Sequence, residues 1–453
     1  MCQGTIKRQE AERERCLAFT CLGLRLDMPA NPLLLTVLLV GSCLLTAAQA
    51  PAPAPSASEE TSPLTASSQR VCSSMLGGTN ISLVMVADPG DFTGTGEAVH
   101  YLANLQNRVN VTSSSFCLSM AYGSMLGNPV MVVATGIGPT TAALCTLELL
   151  QCSEYIKEII WMGTAGYSPQ QGGVIDTLRG CDAANPSTAI TRQGDLCITP
   201  WAVNWDCKLT DWGDQCAGFP NVCSDPTNED GPEVSSLYGQ CIFSTYTGAD
   251  MALTMEVQAA AGAASFPARS DNLNLYEEEY WNITSDSTGV SYTLDRPVKP
   301  WNYTECAISD SQFFWAGAPW DMVSRNYSAV VVNEALGMNL TQLDMVTVSS
   351  QEDIGLVQAV GGWNSLVGSG GKQVPYTIVR THSDILHDPI ESMGNGTWIT
   401  STQTLTQNFE DGYAFAIATG STAVLTTLQR RCQAANGVNA TVCSYALAPI
   451  YTS

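Results

Sequence analysis

The stretch Pro129–Leu150, "PVMVVATGIGPTTAALCTLELL", passes from a β-branched apolar run through two glycines into a segment whose apolar residues recur at helical spacing. A strand that ends in glycine and feeds a helix is the repeating unit of an α/β domain, and a run apolar on both faces belongs to a sheet covered on both sides. Outward from it, "ISLVMVA" (Ile81–Ala87) and "EAVHYLANLQN" (Glu97–Asn107) read as a preceding strand and helix, and "IKEIIWMGTAG" (Ile156–Gly166) as a following strand that again ends in glycine. The same texture returns late, in "LDMVTVSS" (Leu343–Ser350), the helical "EDIGLVQAVGGW" (Glu352–Trp363), "VPYTIVR" (Val374–Arg380) and a long amphipathic run from Leu405 to Cys432. The two halves read as one α/β domain. Between them, about residues 200–303 are rich in Cys, Trp, Gly, Asp and Asn with little periodicity, the pattern of a disulfide-stapled insertion. The expected organisation is a targeting region over 1–50, a Pro/Ser-rich spacer over 51–71, and a domain over 72–453 that carries the insertion.

With 453 residues and 45% apolar content the chain can bury a large core. Its 19 Lys and Arg against 42 Asp and Glu leave a formal charge of −23, which repels nucleic-acid backbones and anionic membrane surfaces, so neither a nucleic acid nor a stable membrane partner is expected. Residues 33–50, "LLLTVLLVGSCLLTAAQA", followed by "PAPAPSASEETSP", have the layout of a secretory signal and a flexible spacer. A start at Met28 gives a compact signal, a start at Met1 a long Arg-containing leader, and cleavage after Ala48 fits better than after Ala50, which precedes Pro51. The alternative is an uncleaved anchor, since the run lies at the lower length limit of a membrane span. Beyond the spacer stand thirteen cysteines without C-x-x-C spacing, in a chain with only three histidines, so disulfides are expected and no metal site. The odd count leaves at least one thiol free or bonded to another chain. Eight Asn-x-Ser/Thr sequons, at Asn80, Asn110, Asn282, Asn302, Asn326, Asn339, Asn395 and Asn439, agree with a secreted glycoprotein.

The glycine turns Thr135–Gly138 ("TGIG") and Gly163–Gly166 ("GTAG") each follow a strand, where ligands of open α/β sheets bind. Each alone is equally an ordinary tight turn, and neither matches a dinucleotide or phosphate-loop fingerprint, so no nucleotide cofactor is expected. The stretch "TIVRTHSD" (Thr377–Asp384) collects Arg380, His382, Ser383 and Asp384 where a strand should stop, which makes either an ion pair at a strand end or the rim of an active site.

Five segments occur in a telling order: "VVATGIGPTTAALCTLELL" with "IIWMGTAG", then "QGDLCIT" (Gln193–Thr199), "AISDSQFF" (Ala307–Phe314), "SSQEDIGLV" (Ser349–Val357) and "VPYTIVRTHSD" (Val374–Asp384). Over about residues 80–200 and 304–431 they resemble the nucleoside phosphorylase and nucleosidase superfamily, which includes methylthioadenosine/S-adenosylhomocysteine nucleosidases and plant bark storage proteins. The last segment is the most specific, being similar to that family's V-P-F-x-x-[IV]-R-x-x-S-D. The resemblance implies a single phosphorylase-type domain with a central twisted mixed sheet flanked by helices, a small-molecule nucleoside as substrate, no cofactor, and a homo-oligomer. It also implies roles. Asp384 would protonate the purine ring so that the base leaves neutral, which requires partial burial to keep its proton, and Ser383 would orient it. Glu352, following Gln351, would hold the ribose hydroxyls, Phe313 would stack on the base or ribose, Thr164, Ala165 and Gly166 would line the pocket, and Arg380 would sit near the nucleophile. In "MVADPGDF" (Met85–Phe92) the carboxylate Asp91 stands where the phosphorylases of the family place a phosphate-gripping Arg, so hydrolysis by an activated water is favoured over phosphorolysis with phosphate as co-substrate.

Other readings of the same residues remain open at the level of sequence. Glu352 also suits a helix N-terminus, Phe313 with Phe314 suits a core, and His100, His382 and His387 read as bystanders. Gln351 stands where the family has Met, His382 replaces a small or apolar residue, and the intervals Phe313–Glu352 and Glu352–Asp384 exceed those of the bacterial enzymes, which leaves the substrate open. A storage glycoprotein of weak or absent catalysis, or a nucleoside-binding accessory, would share the fold; the retained Phe313, Glu352, Arg380 and Asp384 favour the enzyme.

Overall fold

The computed structural model describes residues 71–72, 80–88, 96–112, 114–169, 190–205, 247–288, 292–312, 318–340, 344–386, 389–392, 398–400, 409–438 and 440–448. All of them fall within one unit, Thr61–Ser453. The signal-like run, residues 51–70 of the expected spacer, Asp91, Phe313, His387 and four cysteines of the insertion lie outside the described residues, while Val71, the last residue assigned to the spacer, is buried in the core. The strands are β1 (Ile81–Val86), β2 (Gln106–Val111), β3 (Ser119–Met125), β4 (Asn128–Ala134), β5 (Ile156–Tyr167), β6 (Leu196–Thr199), β7 (Val203–Asn204), β8 (Pro300–Trp301), β9 (Cys306–Asp310), β10 (Val346–Ser350), β11 (Tyr376–Ile385), β12 (Ile390–Ser392) and β13 (Trp398–Thr400). The helices are α1 (Val99–Asn104), α2 (Pro139–Leu150), α3 (Gly248–Ala263), α4 (Asp271–Thr288), α5 (Ala318–Leu336), α6 (Asp353–Val367) and α7 (Phe409–Asn436).

The central sheet is mixed, and β5 is its axis. β1 lies parallel to β4 on one side and to β5 on the other, while β3 and β2 extend the β4 edge in antiparallel fashion. Alternate residues of the inner strands serve two cores: Leu83, Met85, Ile159 and Trp161 face one cluster, and Val84, Val86, Ile160 and Met162 the other. Burial on both faces is why β1, "ISLVMV", carries no polar alternation. Leu149, Leu356, Val357 and Val360 of α2 and α6 close the first face, and Val257, Val424 and Leu428 of α3 and α7 the second.

Past Trp161 the sheet divides. β1 pairs with β5 only as far as Met85 opposite Trp161, and on that same edge β10 joins antiparallel, with Ser349 opposite Gly166. The carboxyl ends of β1 and β10 thus point at each other across the β5 edge between Trp161 and Gly166. On the other edge β11 runs parallel along the whole of this region. One arm continues β10–β9–β7 and the other β11–β6–β8.

Within the expected insertion the structure contains α3 and α4, which the composition of that segment had hidden. Thr247 and Asp250 form a reciprocal capping box at the start of α3, and Leu253, Val257, Ala260 and Ala261 recur at helical spacing as its buried stripe. Disulfides among the described residues join Cys72–Cys152, Cys117–Cys145, Cys197–Cys306 and Cys432–Cys443. The Cys197–Cys306 bridge ties β6 to β9, one strand from each arm, and spans 109 residues of sequence. Replacing both cysteines by serine should lower unfolding free energy by about 2–5 kcal/mol, as loss of a long-loop bridge does. Urea denaturation of wild type and double variant reads this directly, and coincident transitions would refute the structural weight given to the bridge.

Candidate active site

Among the described residues no strand pairs with the β5 edge shared by β1 and β10 between Trp161 and Gly166, and a carboxylate takes the place of one. Glu97, in the turn that opens α1, is buried; its Oε1 accepts from Thr164 N at 2.7 Å, and its Oε2 accepts from Ala87 N at 3.0 Å and Asp88 N at 3.1 Å. One side chain therefore bridges the ends of β1 and β5. Burial, opposed by Arg380, raises the Glu97 carboxyl from the ordinary range to about 7.

Arg380, on β11 opposite Gly163, is the cation of the site and is fully buried. Its Nη2 donates to Glu352 Oε2 at 2.6 Å, its Nε to Asp353 Oδ2 at 2.7 Å, and its Nη1 to the Thr164 carbonyl at 2.8 Å. Burial disfavours the charge, but Asp353 and Glu352 outweigh it and raise the guanidinium further above its usual value. The space for the guanidinium exists because residue 163 is glycine: a Cβ there would lie 2.3 Å from Arg380 Nη1. Glu352 occupies the N-cap position of α6 but makes no side-chain cap bond; its second oxygen faces Gly138 N at 3.4 Å, at the end of the "TGIG" turn. Arg380 is thus no surface partner of Asp384, and Glu352 is held by Arg380 rather than serving its helix end.

Asp384 follows a slip in the β11 register: His382 pairs with Ala165 and Asp384 with Gly166, leaving Ser383 as an extra residue. Ser383 Oγ lies 2.6 Å from Asp384 Oδ1 and 3.1 Å from the Ala165 carbonyl. Burial raises the Asp384 carboxyl above its ordinary value, against the Ser383 hydrogen bond, which lowers it. His382 is buried and stacked on Tyr167, ring centroids 4.6 Å apart, and burial lowers its pKa to about 4. His100 is likewise packed, accepting at Nδ1 from Ala448 N at 3.0 Å.

Glu97, Glu352, Arg380, Ser383 and Asp384 all line one cavity of about 410 Å³, and Thr164, Ala165, Gly166 and Gln351 are also in its walls. The volume falls in the range of small-molecule sites. Tyr413, from the first turns of α7, also lines it and donates from its hydroxyl to Asp88 Oδ2 at 2.7 Å. Sequence reasoning missed Glu97 and Tyr413. The available cue for Glu97 was an acidic residue at the mouth of the helical pattern "EAVHYLANL", where a carboxylate can turn back toward the preceding strand.

No family model matches the chain, and no curated protein matches it. Among solved structures it is similar to a 5′-methylthioadenosine/S-adenosylhomocysteine nucleosidase from Colwellia psychrerythraea in complex with adenine, at 16% identity over 77% of this chain and 95% of that one, TM-score 0.38. It is also similar to the Neisseria meningitidis nucleosidase of the same name in complex with methylthio-immucillin-A, at 14% identity over 78% and 99%, TM-score 0.41. A futalosine hydrolase mutant of Helicobacter pylori gives 11% identity over 78% and 100%, TM-score 0.35.

Removing the guanidinium while keeping bulk, Arg380→Met, leaves Glu352 and Asp353 buried without their cation. The expected cost is about 3–5 kcal/mol of stability. Chemical denaturation measures it, and a loss under about 1 kcal/mol would show that the trio is not what holds the end of β10 to β11.

Proposed function

We propose that this chain is a hydrolase of the N-glycosidic bond of purine-type nucleosides, with Asp384 as general acid and Glu97 as general base. The observation that carries the reading is one cavity walled by two carboxyl groups that burial moves toward protonation, Glu97 and Asp384, and by a third, Glu352, tied to Arg380. Groups of one type in different environments can then divide acid and base work. Protonated Asp384 gives its proton to a ring nitrogen of the base, and the electron pair of the glycosidic bond leaves with the base. Glu97 accepts a proton from a water whose oxygen forms the new bond to the sugar carbon, so free base and free sugar result. Glu352 accepts hydrogen bonds from the sugar hydroxyls, which strengthen as the ring becomes oxocarbenium-like. The ring-stacking part assigned to Phe313 and the water contact assigned to Asp91 belong to residues outside those described.

Hydrolysis is favoured over phosphorolysis because the cation among the described lining residues, Arg380, is already engaged by two carboxylates. A phosphate entering this cavity would meet Glu97 and Asp88 rather than a free positive charge. The disulfides of the described residues, the signal-like run and the sequons support an oxidising, secretory setting for the enzyme.

Purified protein incubated with a panel of purine nucleosides should release base and free sugar equally with and without phosphate, as resolved by chromatography. Asp384→Asn should lower kcat by about 10²–10⁴-fold. A strict phosphate requirement would make the protein a phosphorylase, and absence of both turnover and nucleoside binding would make it a non-catalytic relative of the fold. The pH dependence follows from the two carboxyls. Glu97 must be ionised to accept a proton, so kcat/KM should rise with pH through about 7, and Glu97→Gln should abolish that limb together with most of the activity. Asp384 must be protonated, so its ionisation opposes that rise, and Asp384→Asn should remove the opposing limb. A rate that only declines with rising pH would exclude Glu97 as the base.

A further inference from the structure

The extra residue in β11 leaves a backbone carbonyl outside the ladder, and a side chain from another element takes it up. Ser383 O accepts from Gln193 Nε2 at 2.8 Å, and both groups are buried. Gln193 stands just before β6 and is fixed at its backbone: Arg269 Nη2 donates to its carbonyl at 2.7 Å, and its N–H donates to Glu277 Oε1 at 3.2 Å. The segments are also laced directly, Gly194 N to His382 O at 2.8 Å and His382 N to Asp195 O at 2.9 Å. From the opposite side α7 presents Gly412, where a Cβ would lie 2.5 Å from Ser383 O and 2.6 Å from Gln193 Nε2. The carbonyl of the bulge is therefore confined between an amide and a helix backbone.

We propose that Gln193 is a positioning residue for Asp384: by holding the Ser383 carbonyl it sets the bulge, and the bulge sets the Ser383 hydroxyl against the acid. The proposal rests on the reading of Asp384 as the general acid. Bulges re-aim the side chains that follow them, and here the residue that follows is Asp384. A second observation separates this role from plain packing. Among the described residues Gln193 Oε1 is buried without a hydrogen-bond partner, a state that costs stability and that an apolar side chain of similar length would avoid. The amide stands at a site where its donor, and not its bulk alone, is engaged.

The test is steady-state hydrolysis of a purine nucleoside by Gln193→Met, Gly412→Ala, Asp384→Asn and wild type across pH, with thermal melting of each. Gln193→Met keeps bulk and removes the donor; Gly412→Ala pushes on the same carbonyl from the helix. Both should lower kcat about ten- to a hundredfold while KM stays within about threefold, because the Glu352–Arg380 pair that receives the sugar is not in contact with Gln193. Both should also move the limb that reports Asp384 ionisation to higher pH, since the Ser383 hydrogen bond that lowers the Asp384 pKa is weakened. Unchanged kcat and an unchanged limb in a Gln193→Met protein that melts like wild type would overturn the proposal, and so would a loss that scales with lowered melting temperature and raised KM. If Gln193→Met does not fold, Gly412→Ala carries the same two outcomes. Equal activity of Asp384→Asn and wild type would instead remove the assignment of the acid and the proposal with it, a result distinct from a failure confined to Gln193.

Discussion

The site depends on one buried guanidinium. Arg380 sits where the β5 edge has lost one neighbour and not yet gained the next, and it donates to the Thr164 carbonyl, Glu352 and Asp353 at once. Taking a cation out of water costs several kcal/mol, which is offset only when good geometry and full hydrogen bonding surround it. Those conditions fix its neighbours in turn. Gly163 must lack a side chain, α6 must begin at Asp353 so that two successive carboxylates reach one guanidinium, and the carboxyl end of β10 must point back at β5. The cavity is what remains when these requirements are met.

Glu97 solves the complementary problem on the same edge. An unpaired backbone N–H in a sheet interior must find an acceptor, and a carboxylate supplies two lone-paired oxygens where a strand would supply one carbonyl. By accepting from Thr164 on one side and from Ala87 and Asp88 on the other, Glu97 joins strands that no longer pair. The same burial that makes it a good bridge makes it a reluctant anion, with a pKa of about 7. The structural bridge and the proposed proton acceptor are one group, because both uses need a carboxylate out of bulk water.

What could be read in advance follows from how local each feature is. The glycine turns at Gly138 and Gly163, and the strand ending in Arg380, Ser383 and Asp384, are contiguous patterns whose spacing carries their meaning, and the mixed α/β sheet follows from β-branched runs alternating with helical ones. Asp91 draws the eye in the sequence because it stands where the resembled phosphorylases carry an Arg; that Glu97 returns to Asp88, its N–H donating to the Asp88 carbonyl, is a property of the loop and not of any periodicity. The helices α3 and α4 were obscured because Cys, Asn and Trp in the neighbouring segment mask an otherwise regular stripe of Leu253, Val257 and Ala261. Gln193 could not have been singled out by any local rule, since its importance comes from a carbonyl 190 residues away in sequence.

The charge balance of the cavity constrains what can enter it. Asp88, Glu97, Glu352 and Asp384 face a space whose described lining residues include one cation, and that cation is already paired. An incoming anion would have to displace Glu352 from Arg380, giving up a buried charge-assisted hydrogen bond for another of the same kind while adding repulsion from Glu97. A neutral ligand rich in hydroxyl and ring-nitrogen groups meets no such penalty: a hydroxyl can donate to a carboxylate of the wall, and a ring nitrogen can accept from the carboxyl that burial moves toward protonation. A net charge of −23 over the whole molecule acts in the same direction, lowering the concentration of free anions at the surface through which substrate must pass. A base and a sugar released by water, the products of the proposed hydrolysis, would both leave neutral, whereas a sugar phosphate would carry the charge that these walls exclude.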